Sequence, residues 1–88
     1  MAVYNYKFKV SKEHKLEVVH PFSGNVVVSL DGKVIRDTSN HEMSYGFEVE
    51  GKPCKLEIVF EEKDYGIAKM KSWVHRFFVD GKSIQTES

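Results

Sequence analysis

The sequence predicts an all-β fold, an antiparallel β-sandwich of about eight or nine short strands joined by tight Asp/Glu-Gly hairpin turns. Three observations carry this. An acidic-Gly-Lys triplet recurs as Asp31-Gly32-Lys33, Glu50-Gly51-Lys52 and Asp80-Gly81-Lys82, each between runs rich in β-branched and aromatic residues. A two-residue I′ turn needs positive φ at both central positions, which Gly adopts freely and Asp better than most. The flanking runs alternate apolar and polar residues with the period of a strand. Turn and pattern also agree with each other. With Glu50-Gly51 as the turn, Phe47 pairs with Cys54, Tyr45 with Leu56 and Met43 with Ile58, while Glu48–Pro53, Gly46–Lys55 and Ser44–Glu57 fall on the other face. A slip of one residue mixes the faces, so the register is specified.

In chain order, residues 4–10 set Tyr4, Tyr6, Phe8 and Val10 against Asn5, Lys7 and Lys9, the pattern of a half-buried strand. Residues 15–20 form a second strand, stopped by Pro21, which lacks the amide a ladder needs. Phe22-Ser23-Gly24 returns the chain to strands at 25–30 and 33–36. That hairpin pairs Val28 with Ile35 and Ser29 with Val34, apolar on both faces, as in a central strand pair. Residues 37–42 are a polar loop. The middle hairpin occupies 43–49 and 52–60, and a turn follows at 61–66. Residues 67–71 are too short for a stable helix and follow Gly66, which favours a strand or an irregular crossing. Strands at 72–79 and 82–84 pair Phe77 with Ile84 and Arg76 with Gln85, leaving 85–88 as a frayed tail. There is an internal echo: residues 15–20 resemble 55–60, and Leu30-Asp31-Gly32-Lys33-Val34-Ile35 resembles Val79-Asp80-Gly81-Lys82-Ser83-Ile84.

Eighty-eight residues make one domain, 1–88. Hydrophobic residues at 41% and charged ones at 30% argue against disorder. Thirteen basic residues balance thirteen acidic ones, which argues against nucleic-acid binding without excluding a local basic patch. No apolar run approaches the ~18 residues of a membrane span, and the N-terminus lacks the apolar region of a signal peptide. The single Cys54 excludes an internal disulfide, and a cytoplasmic location is the simplest expectation.

Catalytic and metal chemistry find little support. His14, His20, His41 and His75 match no zinc spacing, and His14 and His20 lie too far apart on an extended strand to share one ion. His75 alternates with Phe77 and Val79, as a neutral, hydrogen-bonded ring bordering the core does. Cys54 shares a face with Leu56 and Ile58, so burial makes it an inert thiol rather than a nucleophile. No catalytic, cofactor-binding or metal residue is therefore assigned. The candidate partner-binding residues are Phe22 and Tyr65, aromatic rings in turns, and Lys7 and Lys9, which guard the edge of the first strand. Trp73 falls on the face of Phe77 and Val79 and is assigned to core packing. Lys7, Lys9, Lys12 and Lys15 are broken up by Glu13 and Glu17, as on a solvated face.

His14-Lys15-Leu16-Glu17, then His20, Gly24, the valine run and Asp31-Gly32-Lys33 resemble the first half of a Fas apoptosis inhibitory molecule (FAIM) domain. The resemblance continues through Ile35-Arg36, residues 47–52, Cys54, His75-x-Phe77-x-Val79 and the closing Asp80-Gly81-Lys82-Ser83-Ile84, nearly the whole chain. It implies an antiparallel β-sandwich without a catalytic centre, in a family whose animal members are cytosolic, carry two such domains, inhibit cell death and suppress protein aggregation. This chain has room for one domain, and Pro21-Phe22 alters the connection from His20 to Gly24. The expected function is a non-enzymatic protein-interaction domain that needs no cofactor, with weak self-association through an edge strand. The alternative is a small β-sandwich that binds a carbohydrate or other small ligand through turn aromatics. An exposed ring in a concave site favours the ligand; a bare apolar patch or an exposed strand edge favours a protein partner.

Overall fold

The computed structural model describes residues 3–87, which form two four-stranded antiparallel sheets. In the first, β1 (Val3–Lys9), β2 (Lys15–Pro21), β3 (Val26–Leu30) and β4 (Lys33–Thr38) lie side by side in chain order. In the second, β5 (Met43–Val49), β6 (Lys52–Asp64), β7 (Lys69–Val79) and β8 (Lys82–Ile84) do the same. No helix among the described residues is long and apolar enough to cross a membrane.

The three acidic-Gly pairs are the turns β3–β4, β5–β6 and β7–β8. Asp31, Glu50 and Asp80 all take φ of 53°, with Gly32, Gly51 and Gly81 at 83°, 76° and 79°, so both central residues are left-handed as a I′ turn requires. All six residue pairs expected for the β5–β6 hairpin are present, as is Phe77 opposite Ile84. The inward rows meet as a sandwich core: Phe8, Val10, Leu16, Val18, Val26 and Val28 from the first half of the chain against Val49, Cys54, Leu56, Ile58, Phe77 and Val79 from the second. Phe8 and Phe77 join the halves, their ring centroids 5.3 Å apart. The internal echo maps onto equivalent places. Segment 15–20 lies in β2 and segment 55–60 in β6, each the second strand of its sheet. The Asp31 amide donates to Lys15 O at 2.9 Å, and the Asp80 amide donates to Pro53 O at 2.8 Å, the same contact in each half.

The structure corrects four expectations. First, the β3–β4 register shifts between Val28 and Ser29, so Val28 faces Arg36 and Ile35 is the extra residue of a bulge, whereas Ser29 still faces Val34. The bulge turns Arg36 towards the other sheet, where its guanidinium lies 5.1 Å from the centre of the Tyr45 ring, and Ile35 O accepts from Tyr45 Oη at 3.4 Å. Second, β4 is an edge strand rather than one of a central pair, because the chain crosses to the other sheet after Thr38 and leaves Val34 exposed. Third, residues 61–64 belong to β6 rather than to a turn, and the turn moves to 65–68, while 69–71 are strand as one of the two expectations had it. Cross-strand neighbours explain the extension: Glu62 faces Lys71 and Asp64 faces Lys69, opposite charges that favour pairing. Fourth, the tail is not frayed through Glu87. Thr86 bridges Phe8, the Glu87 amide donates to Lys7 O at 2.8 Å, and the Glu87 carboxylate lies 3.4 Å from Lys15 Nζ. The tail thus leaves the second sheet for the first, and Arg76 reaches Glu61 at 3.2 Å instead of facing Gln85.

Candidate binding site

The β6–β7 hairpin outruns its sheet. At about 3.4 Å per residue, its thirteen-residue strand accounts for almost the whole 46 Å length of the molecule. β5 pairs with β6 only as far as Ile58, and β8 pairs with β7 only from Phe77. Beyond those points the hairpin is a two-stranded ribbon with both edges unpaired among the described residues. Its turn carries Tyr65, 62% exposed, and the fully exposed Ile67, with Met70 just behind them on β7.

At the ribbon's root the inward row of the second sheet passes the end of the first. Phe60 and Trp73, opposite each other on β6 and β7 with ring centroids 4.7 Å apart, are left half covered. Tyr4 and His20, paired across β1 and β2, face them, and Phe22, 77% exposed, follows Pro21 on the turn above. These residues, with Lys71 and Ser72, line a cleft of about 300 Å³ whose only charged side chain among the described residues is Lys71. Its size suits one or two side chains or a small ligand.

Behind the cleft three histidines stand in a row. His41 Nε2 lies 2.7 Å from the Gly24 carbonyl, His41 Nδ1 lies 3.0 Å from His20 Nε2, and His20 Nδ1 lies 2.9 Å from His75 Nε2. A carbonyl only accepts, so His41 Nε2–H donates to it and leaves His41 Nδ1 as an acceptor. His20 Nε2–H therefore donates to His41, and His75 Nε2–H donates to His20. One carbonyl orders three tautomers, and the chain ends in the buried, unpartnered lone pair of His75 Nδ1. Burial holds His75 well below the ordinary histidine value, at about 4, with His20 adding to the shift. Burial also lowers His20, and the nearby His41 lowers it further. The rings link β2 of one sheet, β7 of the other and the loop between the sheets. Because His20 uses a different nitrogen for each neighbour, the three do not converge on one point.

No family model, curated protein or solved structure matches this chain.

The candidates read from the sequence separate in space. Phe22 lines the cleft, and Tyr65 sits at the far turn of the ribbon. Lys7 and Lys9 lie on the outward face of β1, with Lys7 Nζ 3.8 Å from the Glu17 carboxylate, and the tail already covers the strand edge at Lys7 and Phe8. Trp73 packs against the core as expected, but its ring also walls the cleft. Sequence reasoning did not find the cleft roles of Phe60, Tyr4 and His20. Alternation puts Tyr4 on the apolar face of its strand with Tyr6 and Phe8; nothing in the pattern shows that sheet one ends before sheet two.

A second polar group lies among the turns. His14 Nδ1 is 2.5 Å from Asp31 and Nε2 is 2.8 Å from Glu50, so the ring ties the β3–β4 turn to the β5–β6 turn. Glu13, His14 and Glu50 bring one ligand-type atom each within 4.8 Å of one another, a grouping the sequence spacing did not reveal. Both ring nitrogens face carboxylates, which suits the imidazolium. The Asp31 hydrogen bond raises the His14 pKa, and the same bond lowers that of Asp31. Cys54 is buried, and burial pushes its thiol pKa up.

Proposed function

We propose that this domain is a non-enzymatic protein-interaction module of FAIM-like type, and that its partner lays an extended segment along the β6–β7 ribbon with an apolar or aromatic side chain in the cleft. The observation that carries the reading is the ribbon itself: unpaired strand edges, which accept a partner's backbone, run straight into a cleft walled by Phe22, Phe60, Trp73 and Tyr4. The exposed apolar residues continue from the cleft to Ile67 at the tip, a surface longer than a small ligand needs. The resemblance to the FAIM family sets the expected context, a cytoplasmic regulator of cell death or of protein aggregation. The second reading, a small ligand such as a carbohydrate, is favoured by one observation, the exposed Phe22 ring set in a concave aromatic site.

The test is affinity capture from native cell extract with identification of recovered proteins, using wild type, Phe22→Ala and Ile67→Asp. A partner held by wild type and lost from both variants supports the interaction reading. Equal recovery by all three refutes it. Sugar-induced NMR shifts confined to Phe22, Phe60 and Trp73 would favour the second reading.

A further inference from the structure

We infer that His41, His20 and His75 form a proton-operated latch, which holds the β4–β5 loop and the β2–β3 turn behind the cleft at neutral pH and releases them on acidification. That the latch regulates docking rests on the function proposed above; the latch itself does not.

The row has room for a fixed number of hydrogens. The contact with Gly24 takes one, each of the two ring–ring contacts takes one, and His75 Nδ1 takes none or one. Three neutral rings carry three N–H groups and fill the three contacts. A first added proton enters at His75 Nδ1 without breaking any bond, and shifts of the shared hydrogens pass its charge along the row. A second added proton has no place. It sets two N–H groups against each other across a gap of 2.9 or 3.0 Å, and that pair must part. The His20–His75 pair joins two strands inside the sandwich. The His20–His41 pair ties down a loop residue that is partly exposed, so it is the one to open. Opening it detaches the loop from His20, and because His41 Nε2–H still donates to the Gly24 carbonyl, the turn that carries Phe22 moves with it.

Among the described residues, the surroundings offer the added charge no counter-ion. β1 presents Tyr4 and Tyr6 to the rings, with the Tyr6 and His75 centroids 4.2 Å apart. On the same face β6 presents Ile58 and Phe60. β7 adds Trp73 and, at the rim, the like-charged Lys71. Glu42 in the loop is exposed, and Asp37 beside the turn is engaged by Asn25 at 2.8 Å. Among the described residues no carboxylate is a hydrogen-bond partner of the three rings.

Trp73, the sole tryptophan, lies 4.7 Å from His20 and 6.0 Å from His41, ring to ring, so the latch reports on itself without any partner. The experiment is Trp73 fluorescence and histidine ¹⁵N NMR from neutral pH downward on wild type and on His41→Ala, whose loop position spares the core. The expected result is three Nε2–H tautomers at neutral pH, then a change in Trp73 emission with its midpoint below 6.5. His41, Gly24 and Phe22 resonances should move in the same step while Phe8 and Leu56 stay native, and His41→Ala should show the acid-form emission at every pH. Histidines that titrate independently near 6.5 with Trp73 unmoved would overturn the latch, as would an Nδ1–H tautomer at His20 or a single step that unfolds the whole domain. A working latch in a protein that captures no partner would leave the latch standing and remove only its link to docking.

Discussion

Acidification should destabilise the fold through His75, independently of any binding. In the unfolded chain this ring titrates at its ordinary 6.5, and in the folded one at about 4. The folded state therefore favours the neutral ring. The contribution to stability is fully present above 6.5, where neither state is protonated, and is lost as pH falls towards 4, because only the unfolded chain takes up the proton. That difference is worth at most about 3 kcal/mol, and solvent near the ring trims it. An ordinary domain of this length has a total stability of roughly 4–13 kcal/mol, so the loss is large enough to measure. His14 acts in the opposite sense. Its folded pKa is raised, chiefly by the Asp31 hydrogen bond, so its contribution is complete below 6.5 and is lost as pH rises through the folded value. Stability should accordingly peak close to pH 6.5 and fall on both sides. Urea unfolding followed by Trp73 fluorescence at a series of pH values measures this. His75→Gln is the control, because its side-chain amide keeps a donor for His20 Nδ1 but does not titrate, and it should flatten the acid limb. A wild-type stability that is constant or rising from 6.5 down to 4 would refute the reasoning.

Two further outcomes are expected. Cys54, 4% exposed, should react with a thiol reagent far more slowly in the native protein than in the denatured chain, and Cys54→Ser should cost about 1–3 kcal/mol in urea unfolding, since its hydroxyl is buried without an assured partner. Lys7 and Lys9 lie on a strand whose edge the tail already covers, so replacing both with Thr should leave sedimentation unchanged, whereas ending the chain after Ile84 should bare the edge of β1 and raise self-association; equal behaviour of the two variants would remove the tail from this role.

The sequence by itself determined what is local. A turn pair such as Glu50-Gly51 accepts positive φ at low cost, and a two-residue turn leaves one register that puts Cys54, Leu56 and Ile58 on one face, so the β5–β6 hairpin was legible residue by residue. The same reasoning placed Trp73 and His75 on the face of Phe77 and Val79. The tertiary structure alone decided what those residues meet. Whether Val34 is covered depends on which strand lies beside β4, and the crossing to the second sheet leaves it bare. The bulge at Ile35 answers to Tyr45 on the opposite sheet, not to the local pattern of β3 and β4. The cleft exists because β6 and β7 outrun the strands of the other sheet, and the histidine row because a residue of β2, one of β7 and one of the connecting loop come within hydrogen-bond distance although up to 55 positions apart. Alternation along a strand encodes which face a side chain takes, since that follows from backbone geometry alone. It carries no record of the facing sheet's length or offset, which is set when the two apolar faces pack together.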